Sequence, residues 1–133
     1  GADRTLKWLN LVRVEEVMDE NPPLAFDTQN VSEVQDFMQQ RDLEYVYVIG
    51  TDRTLKGYVN YDDLEGKTGW VDALTTPAAV SIQMGTTLRD TLSEMLAADY
   101  GNVCVVDENE RVHGLVNLNA IQEALQSRRR RVQ

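Results

Sequence analysis

The stretches "GYVNYDD" (Gly57–Asp63) and "GLVNLNA" (Gly114–Ala120) write one phrase twice, 57 positions apart. Each begins with glycine, continues with two apolar residues and an asparagine, and ends a β-rich run. They differ at the last residue, which is aspartate in the first phrase and alanine in the second. The recurrence of such a phrase within 133 residues indicates an internal repeat.

The repeat extends well beyond these phrases. Shifting the chain against itself by 57 positions aligns similar residues over about 50 positions without a gap. The aligned pairs include Val14 with Val71, Glu15 with Asp72, Val31 with Leu88, Met38 with Met95, Val46 with Val103, and Val48 with Val105. Because this ordered series has a single offset, the chain contains two copies of one unit.

Each copy contains one amphipathic helix pattern. The stretches are "VSEVQDFMQQRDL", which follows Asn30, and "LRDTLSEMLAA", which follows Thr87. Asn30 and Thr87 are favoured N-cap residues, and Glu33 and Asp90 stand three positions later, as in a capping box. The apolar residues predicted to share a helical face are Val31, Val34, Phe37 and Met38 in the first copy, and Leu88, Leu92, Met95 and Leu96 in the second.

Short apolar runs surround these helices. One precedes each helix, near Leu24–Phe26 and Val80–Ile82, and two β-rich runs joined by a polar turn follow it. The unit is therefore strand, helix, strand, strand, helix, with "GKTG" (Gly66–Gly69) as the linker between copies. A sheet of this size covered by helices on one face has a second face to bury. The sequence predicts an α/β (α+β) fold in which two pseudo-symmetric repeats pack sheet to sheet.

The charge distribution disfavours nucleic acid as a partner. The net charge is −9, and four of the 13 basic groups lie in the run Arg128, Arg129, Arg130 and Arg131. The preceding residues carry nine basic against 22 acidic groups, and such a body repels phosphate backbones. The basic run is interpreted either as a disordered, solvated end or as a contact with anionic lipid or with the chain's own acidic surface.

The order of elements, the closing phrase and the stretch "VEEVMDENPPLAF" (Val14–Phe26) resemble cystathionine-β-synthase (CBS) domains, two of which form a Bateman module. The resemblance implies a lead-in helix over residues 1–13, CBS domains over 14–65 and 70–127, and a basic tail over 128–133. It also implies a homodimer, because CBS pairs bury helix faces against a second pair.

The resemblance assigns roles to the closing phrase. In the family, a Thr or Ser contacts a nucleotide phosphate, an Asp three residues later holds the ribose hydroxyls, and apolar strand residues flank adenine. Here Asn60 and Asn117 replace the hydroxyl residue, Asp63 keeps the acid, and Ala120 loses it. The first copy thus keeps one of the two polar groups of the implied adenine-nucleotide site, and the second copy keeps neither. Its candidate residues are Leu24, Tyr58, Val59, Asn60 and Asp63.

A structural interpretation remains open beside this one. Asn60 and Asn117 each precede a predicted short helix, where asparagine is a favoured N-cap. Asp63 would then lie in a first helical turn, where a carboxylate complements the helix dipole. Both interpretations explain the same residues.

The lead-in "DRTLKWLNLVRVEEVM" (Asp3–Met18) is similar to the ATP-binding subunits of quaternary-amine (glycine betaine, carnitine, choline) ABC transporters. This similarity implies an ATPase domain and a membrane subunit as partners, at the cytoplasmic face of the membrane. In such relatives cyclic di-AMP binds where two second copies meet, which points to Tyr100, Val112, Leu115 and Asn117. Asn117 stands where an arginine is expected for that ligand. The alternative is a generic adenine-nucleotide sensor of another host protein.

The sequence offers little for catalysis or metal binding. No "GxxxxGK[ST]" phosphate-binding loop occurs, so this region is not expected to be the ATPase itself. Cys104 and His113 fall opposite each other if the second hairpin turns at Asp107–Glu110, but Cys104 lies in an apolar run typical of a buried thiol. We expect neither catalytic nor metal-binding residues. A lone cysteine also fits a reducing, cytoplasmic compartment.

Overall fold

The computed structural model describes residues 2–98 and 100–132, which form two three-stranded sheets and four α-helices. The elements are α1 (Ala2–Leu11), β1 (Leu24–Phe26), α2 (Val31–Arg41), β2 (Tyr45–Ile49), β3 (Leu55–Asn60), β4 (Ser81–Gln83), α3 (Leu88–Met95), β5 (Asn102–Val106), β6 (Val112–Asn117) and α4 (Leu118–Val132). Single-turn 3₁₀ helices span Val14–Glu16, Tyr61–Leu64 and Val71–Leu74. The predicted mixed α/β class is confirmed.

Each sheet has the order implied by its repeat, β1-β2-β3 or β4-β5-β6. Strand β1 is parallel to β2 because α2 carries the chain back between them, and β3 returns antiparallel through a tight hairpin. Alternate residues of the first sheet face α2 and form a core with it. The sheet residues of this core are Ala25, Val46, Val48 and Val59.

The predicted N-caps are present. Asn30 Oδ1 accepts the Glu33 amide at 2.9 Å, and Thr87 Oγ1 accepts the Asp90 amide at 3.1 Å. The prediction that Leu96 shares the apolar face of α3 is wrong. Helix α3 ends at Met95, so Leu96 leaves the buried face and is 89% exposed.

The two repeats end differently. In the first, the closing helix is the single turn Tyr61–Leu64, and the chain then passes through Gly66 and Gly69 with φ of 73° and 93°. Such positive φ values suit glycine and interrupt helix growth. In the second, α4 continues from Leu118 through the four arginines to Val132, so the interpretation of Arg128–Arg131 as a disordered end is wrong.

The described residues form two compact units. The β1–β3 unit contains residues 23–78 and 109–112, and the β4–β6 unit contains residues 2–22, 79–98, 100–108 and 113–132. The chain therefore passes between the units near Pro22–Pro23 and Ala78–Ala79, and again on either side of residues 109–112. The predicted linker Gly66–Gly69 lies inside the β1–β3 unit, where the carbonyl of Gly69 accepts the Val31 amide at 2.9 Å.

Each unit is completed by the segment that begins the other repeat. Val14, at the start of the first repeat, is fully buried in the core of the β4–β6 unit, and the partly buried Trp8 of α1 packs against the same core. Val71, its counterpart 57 positions later, is fully buried in the core of the β1–β3 unit. Full burial of a valine side chain contributes about 1.5–3 kcal/mol, so these lead-in segments belong to the cores.

The same segments extend the sheets along their edges. Thr76 pairs with Tyr58 of β3 through two backbone hydrogen bonds of 2.8 and 2.9 Å. Asp19 pairs with Leu115 of β6 in the same way, at 2.8 and 3.0 Å. These contacts satisfy backbone groups that an open edge strand leaves exposed.

The repeated glycine makes this edge pairing possible. A Cβ at Gly57 would lie 2.0 Å from the carbonyl oxygen of Thr76, and one at Gly114 would lie 2.5 Å from that of Asp19. Gly57 also has φ of 144°, a backbone conformation that residues other than glycine rarely adopt. The glycine of each phrase is therefore required by the segment that crosses it.

Replacing these glycines should destabilise the protein. For Gly57→Ala and Gly114→Ala we expect a loss of roughly 2–4 kcal/mol, because the new methyl group collides with backbone that cannot yield without breaking the edge pairing. Gly101→Ala is the control, since nothing lies within 4 Å of a Cβ there. Urea denaturation of the three variants measures the difference, and equal stabilities would contradict the prediction.

No helix among the described residues is long and apolar enough to cross a membrane.

Candidate functional site

The closing phrase of the first repeat forms a polar pair at the end of β3. Asn60 lies at the N-cap position of the turn Tyr61–Leu64, but its side chain makes no capping hydrogen bond. Its Nδ2 instead donates to Oδ2 of Asp63 at 3.2 Å. The Asp63 side chain is exposed, so its carboxylate is held by a neighbour while it remains accessible from solvent.

The closing phrase of the second repeat is used differently. Asn117 Oδ1 accepts the backbone amide of Ala120 at 2.8 Å, which caps α4. Its Nδ2 donates to Asn102 Oδ1 at 3.0 Å. The capping interpretation is thus confirmed for Asn117, whereas the Asn60 side chain makes no capping bond and donates to Asp63. The hydrogen bond between Asn117 and Asn102 was not predicted. The only sequence feature that pointed to Asn102 was its position at the start of β5.

The other candidates of the first repeat lie on opposite faces of the sheet. Leu24 is opposite Tyr47, which is opposite Tyr58, so the three form one row across the sheet. Tyr45 adds a perpendicular ring contact to Tyr47, with centroids 6.0 Å apart. Val59 faces the other way and is 2% exposed in the core, so we assign it to packing.

The second-repeat candidates offer less polar surface. Val112 and Leu115 are buried, at 1% and 9% exposure. Tyr100 is half-buried and lies two residues before β5. The side-chain amide of Asn117 hydrogen-bonds through its oxygen to Ala120 and through its nitrogen to Asn102.

The sequence matches the CBS domain family at residues 14–65 and 71–127. The chain belongs to this family. Its compact units are offset from the matched CBS repeats, because each lead-in packs in the unit of the other repeat.

The tandem CBS domains are homologous to part of the ATP-binding subunits of osmoprotectant importers. Over 132 residues the chain is 30% identical to the osmoprotectant import ATP-binding protein OsmV of Salmonella typhimurium, covering 98% of this chain and 35% of that protein. Over 107 residues it is 30% identical to the choline transport ATP-binding protein OpuBA of Bacillus subtilis, covering 78% of this chain and 28% of that protein. The chain thus spans about a third of the length of these relatives.

Solved CBS structures share the fold. A CBS domain pair/ACT domain protein from Thermotoga maritima aligns with a TM-score of 0.76 and 22% identity, over 88% of this chain and 98% of that one. CbpB in complex with c-di-AMP aligns with a TM-score of 0.80 and 16% identity, over 96% of this chain and 94% of that one. At such identities the likeness concerns the fold alone.

The side chains of Cys104 and His113 have separate environments in the second CBS repeat. Cys104 is fully buried, and its burial raises the pKa of the thiol far above the ordinary value. The exposed His113 contacts Asp107 instead, with 2.8 Å between Nε2 and Oδ2. A buried neutral thiol is a poor nucleophile. Among the described residues, no group of three or more His, Cys, Asp or Glu side chains could hold a metal ion.

The first arginine of the basic run contacts the chain's own acidic surface. Arg128 Nη2 lies 3.4 Å from Oε1 of Glu16, with the two side chains 35% and 47% exposed. Glu16 also accepts the Arg13 amide through Oε2 at 2.8 Å. An ion pair this exposed contributes about 0–1 kcal/mol and weakens with salt, so it orients Arg128 without locking it.

The buried thiol predicts a pH dependence of stability. Because the folded-state pKa of Cys104 is raised, the stability gained from keeping the thiol neutral is complete below the ordinary pKa of 9.0. It is lost as the pH rises above that value, by about 1.4 kcal/mol per pH unit. The free energy of unfolding should therefore fall more steeply above about pH 9 in the wild type than in Cys104→Ala. Parallel curves would show that the thiol titrates normally in the folded state.

Proposed function

We propose that this chain is the regulatory CBS module of the ATP-binding subunit of a quaternary-amine (osmoprotectant) importer. The observation that carries the proposal is 30% identity to OsmV over 98% of the chain. Its partners are the ATPase domain and membrane subunit of that transporter, and its place is the cytoplasmic face of the membrane. An ATPase signature preceding residue 1 in the parent gene separates this proposal from a generic nucleotide sensor of another host.

The ligand we propose is an adenine nucleotide, bound at the first repeat. The exposed Asp63 carboxylate accepts ribose hydroxyls, while Tyr58 and Leu24 supply flat and apolar surface for the base. CBSX2 in complex with AMP and CbpB in complex with c-di-AMP share the fold, with TM-scores of 0.73 and 0.80, which supports this ligand class.

The second repeat is the weaker candidate for recognising a nucleotide. Ala120 offers no side-chain acceptor to a ribose, and Asn117 is committed to capping α4. Cyclic di-AMP bound near Tyr100, Val112, Leu115 and Asn117 would have to rely on apolar contacts and backbone groups. Its binding at this repeat therefore stays a secondary proposal.

The module is proposed to act as a homodimer. Several large apolar side chains of the described residues are exposed, and contact with a second copy would remove such side chains from water. They are Leu6, Leu11, Phe26, Trp70, Leu96 and Leu118, with exposures of 42–89%.

The basic end of α4 is the proposed contact with anionic lipid. Four arginines near an anionic leaflet contribute about 1 kcal/mol each, and the acidic body opposes them. Glu16, which contacts Arg128, competes with the lipid for this arginine. Because both contacts weaken with salt, this end of the helix would make the module responsive to ionic strength.

Removing the Asp63 carboxylate should weaken nucleotide binding. We expect AMP and ATP to bind the wild type weakly, and Asp63→Ala to lower the affinity by about tenfold or more, because hydrogen bonds to a charged acceptor are lost. Asp62→Ala is the matched control, since Asp62 is an exposed acid in the same helical turn. Isothermal titration calorimetry measures the three affinities.

Two outcomes would count against the proposed site. Tight ATP binding that survives Asp63→Ala would place the ligand elsewhere in the chain. Equal losses of affinity in the Asp62 and Asp63 variants would show that the effect comes from the overall negative charge.

A further inference from the structure

The pair formed by Asn60 and Asp63 changes what the carboxylate can recognise. A carboxylate has two oxygens, and a vicinal ribose diol binds it best by donating one hydrogen bond to each oxygen. In this chain Oδ2 of Asp63 already accepts from the Asn60 amide at 3.2 Å. A hydroxyl approaching Oδ2 is limited to the lone pair that the amide leaves and competes with it for the charge on that oxygen, whereas Oδ1 can accept a hydroxyl without such competition.

We propose that Asn60 is a specificity-determining residue that makes the first-repeat site indifferent to a free vicinal diol. The inference rests on the proposed function, namely an adenine nucleotide bound at Asp63. The ligand class it favours is a nucleotide whose ribose offers one free hydroxyl, as in 3′,5′-linked nucleotides. Nucleotides with both hydroxyls free bind too, but gain little from the second one.

The second repeat shows that asparagine at this position does not act in this way by itself. Asn117 is the equivalent of Asn60, but position 120 carries alanine, and the Asn117 amide binds the Ala120 backbone and Asn102. The effect on sugar recognition therefore needs both members of the first-repeat pair. Asn117 consequently offers a matched control in the same molecule.

Folding does not depend on a capping bond from the Asn60 side chain. Asn60 makes no side-chain capping bond to the following turn, unlike Asn117. Asn60→Thr keeps a favoured N-cap residue while it removes the amide, and Asn60→Ala removes every side-chain donor. Circular dichroism and thermal unfolding check both variants before titration.

The experiment compares AMP with 3′-deoxy-AMP by isothermal titration calorimetry on the full chain. For the wild type we expect dissociation constants within about threefold of each other. For Asn60→Thr and Asn60→Ala we expect AMP to be favoured by about tenfold, equivalent to about 1.4 kcal/mol, because both oxygens of Asp63 then accept from the diol. Asn117→Thr should keep the wild-type ratio.

The remaining outcomes overturn the inference. A wild type that already favours AMP tenfold shows that the Asn60 amide does not restrict the carboxylate. A ratio unchanged in both Asn60 variants, or shifted equally by Asn117→Thr, removes Asn60 as the cause. If neither nucleotide binds the wild type at millimolar concentration, the proposed nucleotide site itself fails, which is a different result from binding without the expected preference.

Discussion

The close approach of two backbones at Gly57 and Gly114 is the constraint on which the rest of this structure depends. At each glycine a segment from the start of the other repeat adds to the edge of the sheet, and a side chain there would meet a carbonyl oxygen at 2.0 or 2.5 Å. The same segments bring Val14 and Val71 into the two cores. The compact units are therefore offset from the sequence repeats.

The residues after each glycine then have different uses in the two repeats. At the end of β6, Asn117 caps the long helix α4, and position 120 carries alanine. This repeat therefore has no exposed acid at that position. At the end of β3, the turn is short, and Asn60 holds the exposed carboxylate of Asp63. One repeat thus strengthens the scaffold, while the other retains polar groups that a ligand can reach. The nucleotide site proposed above therefore lies in the first repeat.

Much of this fold was accessible from the sequence. The offset of 57 residues, the strands and the caps at Asn30 and Thr87 all follow from local patterns, and the structure confirms them. The sequence did not predict that each lead-in segment packs in the unit of the other repeat, because periodicity within a segment does not say which sheet edge the segment joins. For the same reason the sequence did not show that Gly66–Gly69, which lies between the two matched repeats, is inside the β1–β3 unit. The candidate site was predicted as a list of residues, but the Asn60–Asp63 bond required coordinates, since asparagine caps helices and binds carboxylates with the same amide.

Amide hydrogen exchange tests most directly whether each lead-in segment is part of the unit that it joins. The four amides that join lead-ins to sheet edges are those of Asp19, Leu115, Tyr58 and Thr76. If each lead-in is part of the unit it joins, these amides exchange as slowly as those inside β2 and β5, and only through global unfolding. Exchange of Asp19 and Thr76 at the rate of exposed loop amides would contradict the account, because the segments would then rest on the sheets without completing them.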